Sequence, residues 1–229
     1  VEGAEKATHY YRDLNIEKAL ATVTYQAGGV HYKREIFSSF TDQVMIVRLT
    51  ADKPGKISFT AGMDTQQKGG VRTENGKLIL SGLTSDHEGE KGQIRFESQV
   101  KVLAEGGRAS LQNNAWVVKN ANTATVYISI ATNFKNYHDV TGNEGAKAAS
   151  YLDQAIKKKY ADALTAHIKF YQQYFNRVKF NIGVTDAVNK PTDQRIAEFA
   201  KTNDPHLAAL YFQFGRYLLI CRSQPGNQP

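Results

Sequence analysis

Four residues in one short segment have side chains suited to holding a polyhydroxylated ligand: Asn133, Asn136, Tyr137 and Asp139, in TNFKNYHDV at 132 to 140. Amides and a carboxylate offer adjacent donors and acceptors, and a phenol ring adds an apolar face with a hydroxyl at its tip. The same residue types have a purely local use, because Asn and Asp side chains bond nearby backbone, shape turns and cap the following helix. Both readings stand. A second polar set, Arg222, Gln224 and Gln228, follows the last apolar stretch. There the choice is between a binding loop at a helix end and a tight Pro-Gly turn joining two helices.

Other reactive residue types fall into less productive patterns. Asp86, Glu88 and Glu90 alternate with His87 and Gly89 in SDHEGEKG. Three carboxylates in a loop can hold a cation, but this spacing matches no metal loop and Lys91 competes for the charge, so a solvated hairpin tip is expected and no metal. His31, His138, His167 and His206 share no i, i+4 pairing, and His167 is expected to pack against a helix face. Cys221, alone in the chain, excludes an intrachain disulfide and a Cys-based cluster; it reads as a small buried hydrophobe. Trp116, in NAWVVKN, reads as core.

The elements that must position these groups are written in two periods. From about residue 19 to 132 apolar residues alternate, as in ATVTY (Ala21, Val23, Tyr25), VHYKREIF (Val30, Tyr32, Ile36) and QVMIVRLTA (Met45, Val47, Leu49, Ala51). Longer runs continue in QIRFESQVKVLA (Ile94, Phe96, Val100, Val102) and TATVYISIAT (Val126, Ile128, Ile130). Between them AGG, DKPG, ENGK, EGG and QNN mark tight turns. About eight to ten strands without intervening helices predict a sandwich of antiparallel sheets. The first 18 residues read poorly as a start.

After about residue 144 the period becomes about 3.6, with Leu164, Ile168, Tyr171 and Phe175 on one helical face. Lys157, Lys158 and Lys159 are placed on the solvated side of that helical run. Thr192 reads as the N-cap of a short helix carrying Ile196 and Phe199, and Asp204-Pro205 as the start of a last helix. That last helix is apolar nearly all round, which calls for a larger helical assembly, and Gly215 within it suggests a close helix crossing. The chain is therefore expected to be part of something longer.

Composition narrows the partners. The 229 residues carry 29 Lys and Arg against 22 Asp and Glu, a formal charge of +7, but the cations are dispersed among strands without an RNA-binding aromatic pattern, so nucleic acid is not expected. No run of about 18 apolar residues spans a membrane. VEGAEKATHYYRDLN lacks the apolar core of a signal peptide.

Taken together, RDLNIEKALATVTYQAGGVHYKREIFSSFTDQVMIVRLTADKPGKISF (12 to 59), VLAEGG (102 to 107), ATNFKNYHDVTG (131 to 142) and DPHLAALYFQFGRYLLICRSQPGNQP (204 to 229) resemble glycoside hydrolase family 95, the inverting α-L-fucosidases. Cys221 and Arg222 stand where relatives often have small hydroxyl residues. The resemblance implies a mainly β chain with α: an antiparallel β-supersandwich over 1–142, incomplete at its start, a helical linker over 143–186, and the first helices of an (α/α)6 barrel over 187–229. It also implies that the general acid, the base and the Asn residues that place the water lie beyond Pro229. No catalytic residue and no cofactor are therefore expected in this chain. Its expected role is a scaffold, acting with the barrel and C-terminal domains in cis on fucosylated glycans, in a secreted or periplasmic enzyme. A galactoside-active relative, a non-catalytic sugar-binding sandwich and a structural module are the alternatives. Substrate contacts are expected from Asn133, Asn136, Tyr137, Asp139, Arg222 and Gln228.

Overall fold

A computed structural model describes residues 6–223. Its described residues form eleven strands: β1 Thr8–Asn15, β2 Leu20–Ala27, β3 Val30–Ser39, β4 Val44–Ala51, β5 Ile57–Ala61, β6 Lys68–Glu74, β7 Lys77–Leu83, β8 Arg95–Glu105, β9 Arg108–Gln112, β10 Ala115–Ala121 and β11 Thr123–Thr132. Four α-helices follow, α1 Glu144–Ala155, α2 Tyr160–Phe175, α3 Thr192–Glu198 and α4 Pro205–Arg222, with short 3-10 turns at Asp186–Asn189 and Phe199–Lys201. The chain divides into two compact units, one of residues 1–13 and 20–167 and one of residues 14–19 and 168–229. The architecture is mainly β with α, as expected.

In the first unit one sheet has eight strands in the order β1-β2-β3-β4-β11-β8-β7-β6, and a second has three in the order β5-β10-β9. Pairing from β2 to β6 is antiparallel, as it is in the small sheet. Register is set by two-residue turns with both residues left-handed: Gly28-Gly29, Asn75-Gly76 and Asn113-Asn114. That is the turn whose twist suits a hairpin, so the Gly-Gly, Asn-Gly and Asn-Asn pairs decide where strands reverse. β1, in the stretch that reads poorly as a start, is an edge strand, and Tyr10, Tyr11 and Leu14 on it are exposed.

The large sheet is covered on both faces. Tyr25, Tyr32, Leu49, Val100, Val102 and Val126 meet Ile57, Phe59, Trp116 and Val118 of the small sheet in one core. Trp116 is indeed interior, and its indole N–H donates to the Val100 carbonyl at 3.1 Å. On the opposite face Phe37, Val44, Ile46 and Tyr127 meet Leu152, Ala155 and Ala163 of α1 and α2 in a second core. This second cover corrects the alternation read in β4: Ile46 is 0% exposed, whereas Met45 is 42% exposed. Val47, Leu49 and Ala51 do face the inter-sheet core. Ile130, near the end of β11, is also exposed rather than core.

α1 begins at Asn143, whose side-chain oxygen accepts the Ala146 N–H at 2.8 Å. Three polar links fasten it to the sheet: Arg95 to Glu144, the Gln99 amide to the Gly145 carbonyl, and Lys77 to Asp153. Lys157, Lys158 and Lys159 lie in the break between α1 and α2, not on a helix. The reason is local: the Lys158 ammonium is drawn to Asp42, a buried carboxylate that also accepts the Ser39 hydroxyl. Burial raises the Asp42 pKa, and the Lys158 and Ser39 bonds outweigh it, leaving the group below the usual carboxylate range. His167 is buried against Phe37 and Phe40.

In the second unit α2 continues through Tyr171 and Phe175, both buried. The Tyr171 hydroxyl donates to the Ile16 carbonyl at 2.6 Å, and the Gln172 amide to the Glu17 carbonyl at 3.1 Å. Arg216 of α4 donates to the carbonyls of Tyr174 and Phe175, satisfying the end of α2. Asp204 caps α4 as expected, accepting the Leu207 N–H, with Pro205 in the first turn.

α3 is the expected short helix and carries Ile196, with Phe199 in the 3-10 turn that follows and the cap one residue earlier than expected. Its N-cap is Pro191 and Thr192 is already helical, while Ile196 and Phe199 are exposed. The buried residue is Arg195, held by two bonds of 2.8 and 2.9 Å to the Asp204 carboxylate. An ion pair, not an apolar side chain, takes the inward position on this helix. Gly215 touches no crossing helix: a Cβ added there meets no atom within 4 Å. Cys221 is exposed rather than buried.

Candidate functional site

β11 leads directly into the loop that joins it to α1, and Asn133 fixes that junction. This residue is 0% exposed. Its side-chain oxygen accepts the Arg95 N–H at 2.9 Å, and its amide group donates to the carbonyls of Gln93 at 3.1 Å and Val140 at 2.7 Å. Its backbone N–H and carbonyl bond Arg95 and Gly142. Glycine is required at 142 by close approach, since a Cβ there would stand 2.7 Å from the Asn133 carbonyl oxygen.

The tip of the loop is a turn closed by reciprocal backbone bonds between Asn136 and Asp139. The Asn136 side chain accepts the His138 N–H at 2.9 Å. Asp139 accepts the Thr141 hydroxyl at 2.6 Å and the Thr141 N–H at 2.8 Å, and pairs with Lys135 at 3.2 Å. These bonds, the Thr141 hydroxyl foremost, hold the Asp139 pKa down to about 2. Such a carboxylate keeps no proton to give at neutral pH, so it can accept hydrogen bonds but cannot serve as a general acid.

Tyr137 is different. It is 79% exposed, and its ring centroid lies 3.9 Å from that of His138. Of the four residues singled out in the loop, Asn133, Asn136 and Asp139 build the turn, and Tyr137 presents a face to solvent. The cap of α1 is Asn143, three residues beyond the segment expected to supply it. His138, the ring beside Tyr137, was missed as a partner; adjacency of two aromatic rings in YH was the available signal. At the base of the loop Arg95 grips Glu144 at 2.8 and 3.2 Å and the Gly142 carbonyl at 3.2 Å. That pairing lowers the Glu144 pKa.

The other candidate residues lie on other elements. Arg222 is exposed in the last turn of α4, in the second unit. Gln224 and Gln228 lie outside the described residues. Asp86, Glu88 and Glu90 are exposed at a hairpin tip where Asp86 accepts the Gly92 N–H and sits 3.7 Å from Lys68. Among the described residues no group of His, Cys, Asp and Glu side chains is arranged to hold a metal ion.

Residues 1–137 match the family described as "Glycosyl hydrolase family 65, N-terminal domain", and residues 159–229 match the "Glycosyl hydrolase family 95 catalytic domain". Similar relatives include "Alpha-L-fucosidase 2" of Arabidopsis thaliana, 30% identical over 96% of this chain and 29% of that protein. "Probable alpha-fucosidase A" of Aspergillus niger is 26% identical over 96% of this chain and 29% of its own length. The chain thus spans under a third of these relatives. With a family 65-type β-domain leading into family 95 catalytic-domain sequence, the chain belongs to the family 95-like glycoside hydrolases.

Proposed function

We propose that the chain supplies the β-sandwich and leading helices of an enzyme that releases terminal α-L-fucosyl residues from glycans with inversion at the anomeric carbon. The carrying observation is the family 95 catalytic-domain match over residues 159–229, on helices whose apolar side chains are left uncovered. Tyr211, Phe212, Phe214, Leu218 and Leu219 of α4 are all exposed, the pattern of a helix made to sit inside a larger helical assembly. The names of the relatives supply the sugar. In this reading the chain is a scaffold, the remaining barrel and a further domain complete the enzyme in cis, and the enzyme works outside the cytoplasm. Inversion requires two carboxyl groups about 6.5 to 9.5 Å apart, one to protonate the leaving oxygen and one to activate water. Both are assigned to the part of the enzyme beyond this chain. Tyr137 is assigned a contact with the glycan.

The test is a comparison of this 229-residue protein with the longer protein that carries the whole barrel, on a fucosylated oligosaccharide, following the first-formed anomer by proton NMR. The longer protein is expected to release β-L-fucose first and the shorter one to release none. Turnover by the 229-residue protein, or α-L-fucose as the first product, overturns the proposal.

A further inference from the structure

In the first unit, away from the 132–142 loop, strand pairing gathers polar side chains from three strands around an open groove of about 520 Å³. Lys33 of β3 lies opposite Thr24 of β2 on one side and opposite Thr50 of β4 on the other. Cross-strand partners share a face at a spacing of about 5 Å, so these three side chains stand in a row. His31 and Asp52, two residues along from Lys33 and Thr50, continue the row, and His9 of β1 closes one end. Two bonds clamp this rim: the Asp52 carboxylate accepts the His31 N–H at 3.0 Å, and the Asp52 N–H donates to the His31 carbonyl at 3.0 Å. On the opposite face of the same strands, in the inter-sheet core, Tyr25 and Tyr32 stack at 5.0 Å with an interplanar angle of 15°, and Arg34 lies over the Tyr25 ring. The polar row therefore stands on strands that are held from behind by a packed aromatic pair.

We propose that this groove is a saccharide-binding site taking a neutral sugar ring. The charges balance locally, since Lys33 is paired with Glu35 at 2.8 Å and Asp52 supplies the facing anion, so neither a phosphate nor a cation is favoured. What the row offers is donors and acceptors side by side, in hydroxyls, an ammonium, a carboxylate and imidazoles, at intervals comparable to the span of one sugar ring. The volume falls within the roughly 300–1,000 Å³ of small-molecule sites. The choice of a saccharide over another polyol rests on the glycoside hydrolase reading, whereas the groove itself does not.

The experiment titrates the isotopically labelled 229-residue protein with 2′-fucosyllactose and, separately, with lactose, following amide shifts. Shifts are expected around residues 24, 31–33 and 50–52. The double variant His31→Ala, Lys33→Ala, both side chains being exposed, is expected to bind at least tenfold more weakly with its melting temperature unchanged; Thr50→Val is the second variant should the first fail to fold. Arg108→Ala, exposed on β9 of the small sheet and outside the groove lining, is expected to bind as the parent does. Absence of shifts with both sugars, shifts confined to 134–141, or undiminished affinity in the variants overturns the inference. Failure of the enzymatic reading is seen separately, as no fucose release by the longer protein, and leaves a positive titration standing.

Discussion

At the scale of single residues, Asn133 and Tyr137 sit four positions apart and do opposite things. Asn133 ties the start of β8, the end of β11 and the loop with three side-chain bonds. Replacing it by Ala strands buried backbone groups, so Asn133→Ala is expected to lose about 2 to 4 kcal/mol in urea unfolding. Tyr137→Ala is expected to leave stability within about 0.5 kcal/mol and, in the longer enzyme, to raise KM for the glycan. Asp139 makes a pH prediction. Its folded-state pKa, about 2, lies below the ordinary 3.8, so its stabilising contribution is complete above pH 3.8 and is lost as pH falls through 2. Carbon-13 titration of its carboxyl should show a midpoint near pH 2 that rises in Thr141→Val; a midpoint near 3.8 in the parent would contradict the bonding described. In sequence both uses of this loop were open, because Asn and Asp are equally suited to a ligand and to a turn. For Asn133, burial and a fully bonded side chain mark the structural use.

At the scale of elements, β4 explains what periodicity can and cannot tell. An alternating strand announces one apolar face, and Val47, Leu49 and Ala51 were read correctly; a strand with sheet on one side and helices on the other is apolar on both, along different stretches. Ile46 serves the helix-facing core and Met45 does not. Ile46→Ala should therefore cost about 3 kcal/mol in unfolding experiments, whereas Met45→Ala should cost about 0.5 kcal/mol or less. Equal losses would mean that the two faces are not distinguished. The turn pairs and the Asp204-Pro205 start were legible because each rests on a local φ requirement or a local cap. On α3 the helix itself was legible but its buried Arg195 was not, because a buried Arg is invisible to hydrophobic patterning until its partner Asp204 is brought beside it. Substituting the Asn143 cap by Ala should cost about 1 kcal/mol, measured the same way.

At the scale of the whole molecule, the exposed apolar residues concentrate in the helical unit, with Val178, Phe180, Ile182 and Val184 joining those of α4. Soluble monomers rarely leave such a patch bare. The 229-residue protein is expected to associate with rising concentration in sedimentation experiments, and Tyr211→Ser with Leu219→Lys is expected to reduce that association; a strictly monomeric parent would show the patch to be harmless. Residues 14–19 carry a different consequence. They belong to the helical unit, and Tyr171 and Gln172 each hold a carbonyl there across 155 positions of sequence. During translation, that early hexapeptide emerges long before its helical clasp exists, so the ribosome must finish α2 before either can be protected. A severed 168–229 polypeptide would lack its first-made piece and should gain amide-exchange protection only when a synthetic 14–19 peptide is added back.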